Sequence, residues 1–377
     1  MERFDAIVVG AGPAGSTAAL RLVRAGARVL LLDRERFPRD KPCGGGLTGR
    51  AVKQLPVSVD PVVEEVVDRF ELGFRYRARV ERGGERPLVL MTQRRRLDEF
   101  LAGEAARAGA DFRDGLRATA IDLDGTVRFD GTAAKADVVI GADGVNGLTA
   151  RAFGFADRRH GVALEGNVPY VHAREDRWRG RAVVDLGTVA GGYSWVFPKG
   201  DHVNVGVGGW RSEGPRLREH LRQACAGYGL PHERLESVRG FRLPMRRAGE
   251  PVVRGRALLV GDAAGLVDPL SGDGIYEALF SARLAVEAAL AGDLQRYGEW
   301  LERELAPMMS ASWSAKLAFD RYPRLAFTIA RTPPAWRLAE RLLRDELPDP
   351  RAVRGTMRVP LQALRALAHA AGATAAP

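Results

Sequence analysis

The chain has 377 residues, 46% hydrophobic and 28% charged, with only two cysteines. That composition excludes disorder, a collagen-like repeat and a disulfide or four-thiolate scaffold, and at roughly 150 residues per domain it makes one large or two modest domains. The net charge of +10 favours an anionic partner, but only five of the 57 basic residues are lysine. Such an arginine bias is what a GC-rich genome produces, and no basic block interleaved with aromatics points to nucleic acid.

In chain order, FDAIVV at 4–9 predicts a buried strand of parallel-sheet type. Ala18, Ala19, Leu22 and Val23 then share one face of a helix that Gly26 closes, and RVLLL at 28–32 forms a second strand ending at Asp33. Strand, helix and strand make a βαβ unit with a right-handed crossover. A loop rich in Gly and Pro at 38–49 leads to a helix expected over 51–67. Residues 70–92 read as strands, and 97–108 as an amphipathic helix ended by Gly109. Short strands over 116–140 finish in ADVVI, just before Gly141-Ala142-Asp143-Gly144. Alternating segments between 155 and 250, such as GGYSWVFP, predict an antiparallel sheet interrupted by a helix near 213–228. ALLV at 257–260 is again a buried strand and runs into Gly261-Asp262-Ala263-Ala264-Gly265. From Ile275 the pattern is helical to the end, broken at Pro307, Pro323, Pro333 and Pro360, with 372–377 expected to fray. No apolar run approaches the roughly 18 residues that span a bilayer. The N-terminus runs straight into a strand, so the expected location is cytoplasmic.

Three turns carry chemistry. Gly10-Ala11-Gly12-Pro13-Ala14-Gly15 is a G-x-G-x-x-G turn between a strand and a helix, with Asp33 eighteen residues past the last glycine. Gly10 permits the tight turn, Gly12 lets backbone approach a pyrophosphate, and Gly15 lets helix and strand pack closely. The helix N-terminus offers free N–H groups, and Asp33 is placed to accept from a ribose. Arg96 in RRRLDEFL, the turn at 141–144 and the turn at 261–265 follow in the order of a flavoprotein with one non-contiguous FAD domain; an NAD dehydrogenase has no use for the last two. Asp262 stands where a strand meets a helix, suited to ribityl hydroxyls. Gly272, Gly274 and Ile275 lead into a helix whose N-terminus can face the flavin pyrimidine and stabilise its reduced anion.

The succession GAGPAG, KPCGGGL, RRRLDEF, GADGVN, YSWVFPK and GDAAGLVDPLSGDGI resembles the geranylgeranyl reductase family, flavoproteins of the p-hydroxybenzoate hydroxylase-like group, over residues 4 to about 290. Most telling are Pro42-Cys43-Gly44-Gly45-Gly46 and Tyr193-x-Trp195-x-Phe197-Pro198. The resemblance implies an α/β fold with an antiparallel sheet. A non-contiguous Rossmann-like FAD domain would comprise 1–69, 93–154 and 251–290. An inserted β-sheet substrate domain would comprise 70–92 and 155–250, followed by a C-terminal helical region at 291–377. It implies FAD contacts at Ala14, Asp33, Cys43, Gly44, Gly46, Arg96, Ala120, Asp262, Gly274 and Ile275, with Ala120 resting on the resemblance alone. Gly147 stands where the wider group usually has Ser.

The activity implied is FAD-dependent saturation of C=C bonds in an isoprenoid, geranylgeranyl-type chain on a diphosphate, lipid or quinone. Cys43 is the candidate catalytic residue, a thiol suited to donate a proton or to tune the flavin. Tyr193, Trp195 and Phe197 alternate on one strand face and would wall an apolar substrate site. No metal site is expected. Cys225 reads as an inert helix residue, and Lys41 as either solvated or facing an anionic substrate. No second Rossmann unit is visible, so NAD(P)H or a reduced electron-carrier protein must bring electrons to the flavin. Trp336, Leu338, Leu342 and Leu343 interleave with Arg337, Arg341 and Arg344. This suits a lid over a substrate tunnel, a membrane-surface face or an ordinary covering helix, so peripheral membrane contact joins the expectations. The alternative activity is an FAD-dependent monooxygenase or halogenase-like tailoring enzyme acting on an aromatic metabolite. YSWVFP resembles the tryptophan strand of flavin halogenases, whereas the CGGG loop resembles the reductases.

Overall fold

The computed structural model describes residues 1–84, 86–155, 159–347 and 352–371. The β-branched run Glu2–Val9 lies at the middle of a mixed sheet, paired in parallel with Thr132–Gly141 on one side and Val29–Leu32 on the other. Outward from these come Ala257–Leu259 with Val253–Arg254, and on the opposite side Asp111–Arg113. A hairpin, Ala118–Ile121 with Thr126–Phe129, is added to Thr132–Gly141. Ile7, Val8, Leu30, Leu31, Val139, Ile140, Leu258 and Leu259 are fully buried, which is why these strands read as unbroken apolar runs rather than alternating ones. The helix Pro13–Arg24 packs between Arg94–Arg107 and Ile275–Leu290 over this sheet.

A second sheet of seven strands runs Glu236–Pro244, His160–Pro169, His202–Trp210, Tyr193–Pro198, Arg181–Leu186, Arg69–Phe74, Ala78–Gly83. It is antiparallel except where Arg181–Leu186 meets Arg69–Phe74 in parallel. The helix Leu217–Tyr228 covers one face, setting Leu221, Ala224, Cys225 and Tyr228 against Val203, Val205 and Val207. Gly229 ends that helix in the left-handed conformation that favours glycine. A small third sheet joins Gly46–Thr48, Val89–Met91 and Glu65–Val67. The chain then closes with the helices Gln295–Arg321, Pro323–Ala330, Pro333–Leu343 and Arg358–Ala370. Among the described residues no helix is long and apolar enough to cross a membrane.

Two expectations need correction. The helix predicted over 51–67 is only Gly49–Gln54, followed by a 3-10 turn at Asp60–Val62 and the strand Glu65–Val67. Pro56 forces Leu55 into extended backbone, and Val67 then finds a buried place on the third sheet. Pro307 does not break its helix, which continues through it to Arg321. The N–H that Pro307 lacks would have bonded the Arg303 carbonyl, on an exposed stretch where solvent can replace it. Pro323 and Pro333 do open new helices, at the first position, where a missing N–H costs nothing. Residues 372–377 lie outside the described residues.

Candidate cofactor and substrate site

The three motif turns meet at one place. The strands Glu2–Val9, Thr132–Gly141 and Ala257–Leu259 are parallel neighbours, so the turns that follow them gather at one edge of the sheet. From Glu2–Val9 the chain crosses over to Val29–Leu32, while Thr132–Gly141 lies on the opposite side. The turns therefore sit at a topological switch point, where α/β sheets open a crevice for ligands. The Ala142 N–H donates to the Val9 carbonyl at 2.7 Å, and Val260 N–H to the Gly141 carbonyl at 3.0 Å. Gly10, at φ +103°, lies so close to Ala142 that a Cβ would come within 2.4 Å of its carbonyl oxygen. A Cβ on Gly15 would come within 1.8 Å of the Gly10 carbonyl. Ala14 is buried beside Gly261 of the third turn.

Asp33 braces the first turn, accepting from Ala11 N–H at 2.8 Å and Glu35 N–H at 2.9 Å. Gly12 caps the helix Pro13–Arg24 with no side-chain cap, leaving the first N–H groups unclaimed by any capping side chain. The Arg39 and Arg94 guanidinium groups stand 3.5 and 3.6 Å from the place a Gly12 Cβ would take. Arg94 is held by Asp98 through two hydrogen bonds of 2.7 Å, and Arg39 joins the same carboxylate at 2.9 Å. Burial opposes the Arg94 charge, but Asp98 more than restores it, and its pKa lies above the ordinary guanidinium range. Bare helix N–H groups facing two arginines form an anion site. The motif arginine assigned from sequence, Arg96, is not part of it. It lies on the outer face of its helix, 3.0 Å from Glu64 and from the Pro61 carbonyl. The signal that singles out Arg94 was present in the sequence as helical phase, because Arg94, Leu97, Asp98 and Leu101 share the buried face. Ala120 sits on the added hairpin opposite Arg128; just before it, Leu116 N–H donates to the Asp33 carbonyl.

At the other end of the crevice, Asp262 pairs with Lys41 at 2.9 Å. A Cβ on Gly274 would stand 3.1 Å from Asp262 Oδ1. Gly274 begins the helix Ile275–Leu290, whose first N–H is taken by Asp273 at 2.9 Å. The anion site at Gly12, with the side-chain-free Gly274 and the Asp262 carboxylate, fits an FAD laid along the crevice.

Gly272, Gly274 and Ile275 also border a cavity of about 590 Å³ that reaches the Cys43–Gly46 loop. Tyr193, Trp195 and Phe197 line it together, their neighbouring ring centroids 5.9 and 6.2 Å apart. Trp195 Nε1–H donates to Asn204 Oδ1 at 2.7 Å, and a Cβ on Gly206 would lie 2.1 Å from the Trp195 ring. Trp336, Leu342, Leu343, Leu361 and Leu364 of the C-terminal helices close the cavity opposite, Trp336 lying 6.4 Å from Phe70. The interleaved apolar side of Pro333–Leu343 therefore faces the cavity, as a lid would, and Arg337 is exposed. One charged wall is formed by Arg50, 3.6 Å from the buried Glu277 and 3.8 Å from Asp273.

The glycines after Cys43 have protein neighbours. A Cβ on Gly44 would meet the Phe197 ring at 2.9 Å, and one on Gly45 would meet Lys199 Nζ at 2.3 Å. One on Gly46 would meet Val89 at 3.0 Å. Cys43 N–H donates to Glu165 Oε1 at 2.7 Å, and Gly45 N–H points at Cys43 Sγ at 3.4 Å. Lys199 Nζ donates to the Gly44 and Thr92 carbonyls at 2.5 and 2.8 Å. Burial pushes Glu165 up to about 7, against the pull of the Cys43 N–H and the Lys199 charge. Burial likewise pushes Lys199 down to about 8, with Cys43 and Glu165 holding it back. Lys199 closes the YSWVFPK segment but was given no role from the sequence, and Glu165 belongs to no motif. Cys225 is fully buried, and burial pushes its thiol up to about 12. Gly147, in place of the usual Ser, is also explained: a Cβ there would fall 2.1 Å from the Asp143 carboxylate, which is turned inward onto Thr149.

Residues 3–285 match the model of the FAD binding domain family. The menaquinone reductase of Mycobacterium tuberculosis is 33% identical over 88% of this chain and 83% of its own length. The geranylgeranyl diphosphate reductase of Rhodobacter capsulatus is 33% identical over 77% of this chain and 75% of its own. Among solved structures, a geranylgeranyl bacteriochlorophyll reductase-like protein from Thermoplasma acidophilum shares the fold at a TM-score of 0.77 and 23% identity, covering 90% of this chain and 96% of that one. A flavin-dependent brominase shares it at 0.76 and 19% identity, covering 98% of each. On the crevice, the matched model and these relatives, the chain belongs to the geranylgeranyl reductase family of FAD-dependent oxidoreductases.

Proposed function

We propose that the protein saturates C=C bonds of an isoprenoid chain carried on a diphosphate, lipid or quinone. The observation that supports this most is the cavity: long, walled by aromatic and aliphatic side chains, and continuous from the Cys43 loop and the start of Ile275–Leu290 to the C-terminal helices. The seven-stranded sheet would form the substrate domain, with the C-terminal helices closing the cavity beside it. Gly12, the helix start behind it, Arg94 and Arg39 hold the pyrophosphate of FAD. Asp33 serves the adenosine ribose and Asp262 the ribityl chain. FAD supplies the hydride when bound and reduced.

The chain's own residues do the rest. Tyr193, Trp195 and Phe197 lay the substrate flat against the sheet, so that one alkene carbon faces the flavin. Cys43 gives its thiol proton to the other carbon, and the two hydrogens together convert C=C to CH–CH. The Gly45 N–H is already placed as a donor to the sulfur left behind. The C-terminal helices keep water out while the chain is bound. Electrons come from NAD(P)H or from a reduced carrier protein. The exposed arginines of the C-terminal helices would meet an anionic lipid surface, from which such a substrate is drawn; flotation with anionic vesicles tests that contact.

The test is anaerobic. The purified protein is reduced with dithionite, polyprenyl lipids are added, and flavin absorbance and product masses are followed. Reoxidation of the flavin with products gaining two hydrogens per bond is the expected result. No reoxidation until oxygen is admitted would overturn it in favour of an oxygenase or halogenase, the activity class of the brominase that shares the fold.

A further inference from the structure

We propose that Glu165 and Lys199 are positioning residues for Cys43, gripping from below the loop that carries the thiol. Glu165 holds the peptide N–H of Cys43, and Lys199 holds the carbonyl of Gly44. Neither side chain borders the cavity, so both act through the loop. The inference rests on reading Cys43 as the group that faces the substrate.

Three features make this a built arrangement. Both residues are buried, Glu165 at 6% and Lys199 at 2% exposure, and placing two ionisable groups there is costly unless backbone partners satisfy them. The CGGG loop supplies one partner to each, the Cys43 N–H to Glu165 Oε1 and the Gly44 carbonyl to Lys199, with Thr92 as the second anchor of the lysine. Thr92 N–H also bonds the Gly45 carbonyl at 2.9 Å, tying the loop to the segment after Val89–Met91. Finally, Gly45 is left-handed at φ +68°, and its Cβ place is filled by Lys199 Nζ and the Thr92 carbonyl, at 2.3 and 2.0 Å. The glycine is therefore what lets the ammonium reach the loop. Glu165 lies on the strand His160–Pro169 and Lys199 directly follows Tyr193–Pro198, so the seven-stranded sheet sets where the thiol stands.

Cys43 alkylation by iodoacetamide is an independent readout, because Cys225 is fully buried and stays unreactive in the folded protein. It is measured in the full-length, FAD-loaded protein alongside turnover of geranylgeranyl diphosphate by the dithionite-reduced enzyme. Glu165→Ala and Lys199→Met are expected to change the alkylation rate on the order of tenfold and to lower kcat tenfold to a hundredfold, with KM and FAD content held. Glu165→Gln keeps an acceptor for the Cys43 N–H and is expected to recover most of both. Wild-type alkylation in Glu165→Ala and Lys199→Met, or a Glu165→Gln variant no better than Glu165→Ala, would overturn the proposal. If Lys199→Met does not fold, the two Glu165 variants decide alone. Should Cys43→Ser turn over normally while Glu165→Ala still alters alkylation, the grip on the loop stands and the proton-donor reading falls.

Discussion

The buried carboxyl under the Cys43 loop makes a quantitative prediction about stability. Glu165 titrates at about 7 in the folded protein against an ordinary 4.5. Between those values the folded protein holds a proton that the unfolded chain has released, so raising the pH favours unfolding. Below 4.5 both states hold the proton and nothing is lost; above 7 the loss is complete. A difference of this size corresponds to about 3 kcal/mol at 1.36 kcal/mol per pH unit. At 6% exposure, solvent does little to screen it. Glu165→Gln cannot titrate, so the stability of wild type minus that of the variant should fall by about 3 kcal/mol between pH 4.5 and 7.5. Any constant cost of the amide cancels in that difference. Lys199, lowered to about 8 from 10.5, acts with the opposite slope above pH 8, so the measurement stays below it. The assay is urea unfolding of both proteins, saturated with FAD, across that range. A difference that stays flat would mean that Glu165 is ionised throughout, and would refute the argument from burial.

Other consequences are more direct. Arg94→Ala leaves Asp98 buried with only Arg39 as partner; it should cost about 3–5 kcal/mol in unfolding experiments and strip FAD from the purified protein. Arg96→Ala, on the outer face, should stay within about 0.5 kcal/mol and keep its flavin. Gly45→Ala must place a methyl group 2.0 Å from the Thr92 carbonyl in a left-handed backbone; the expected outcome is a loss of at least about 2 kcal/mol, read as a lower Tm. Leu361→Trp, at the closed side of the cavity, should depress turnover of a C20 chain more than that of a C10 chain; equal effects would show that the chain does not reach it.

Much of the cofactor crevice was legible because it is made of local rules. A glycine at positive φ, a helix start without a cap and a strand too apolar to face water are each properties of a few consecutive residues. The turns at 10–15, 141–144 and 261–265 could therefore be read one by one. Their meeting at one sheet edge followed from parallel pairing of the strands before them. The aromatic wall was legible for a similar reason, since alternate strand residues must share a face. The helical phase that buries Arg94 with Leu97, Asp98 and Leu101 was present in the sequence too, but a motif of three consecutive arginines does not by itself point to it.

What the sequence determined by itself was the class of cofactor site: the order and spacing of its turns carry their own steric and hydrogen-bonding logic. What only the tertiary structure decided was the use of everything remote. Nothing near the CGGG glycines in sequence names what stands against them, which in the fold is Phe197 and Lys199, some 150 residues on. The apolar residues of the Pro333–Leu343 helix had no partner named by the sequence until the fold set them on the cavity. The physical reason is the same in each case. Composition fixes which groups must be buried or paired, but many partners in a long chain satisfy that demand equally. Only sheet register and helix phase choose among them, bringing Glu165 and Lys199 beneath one cysteine.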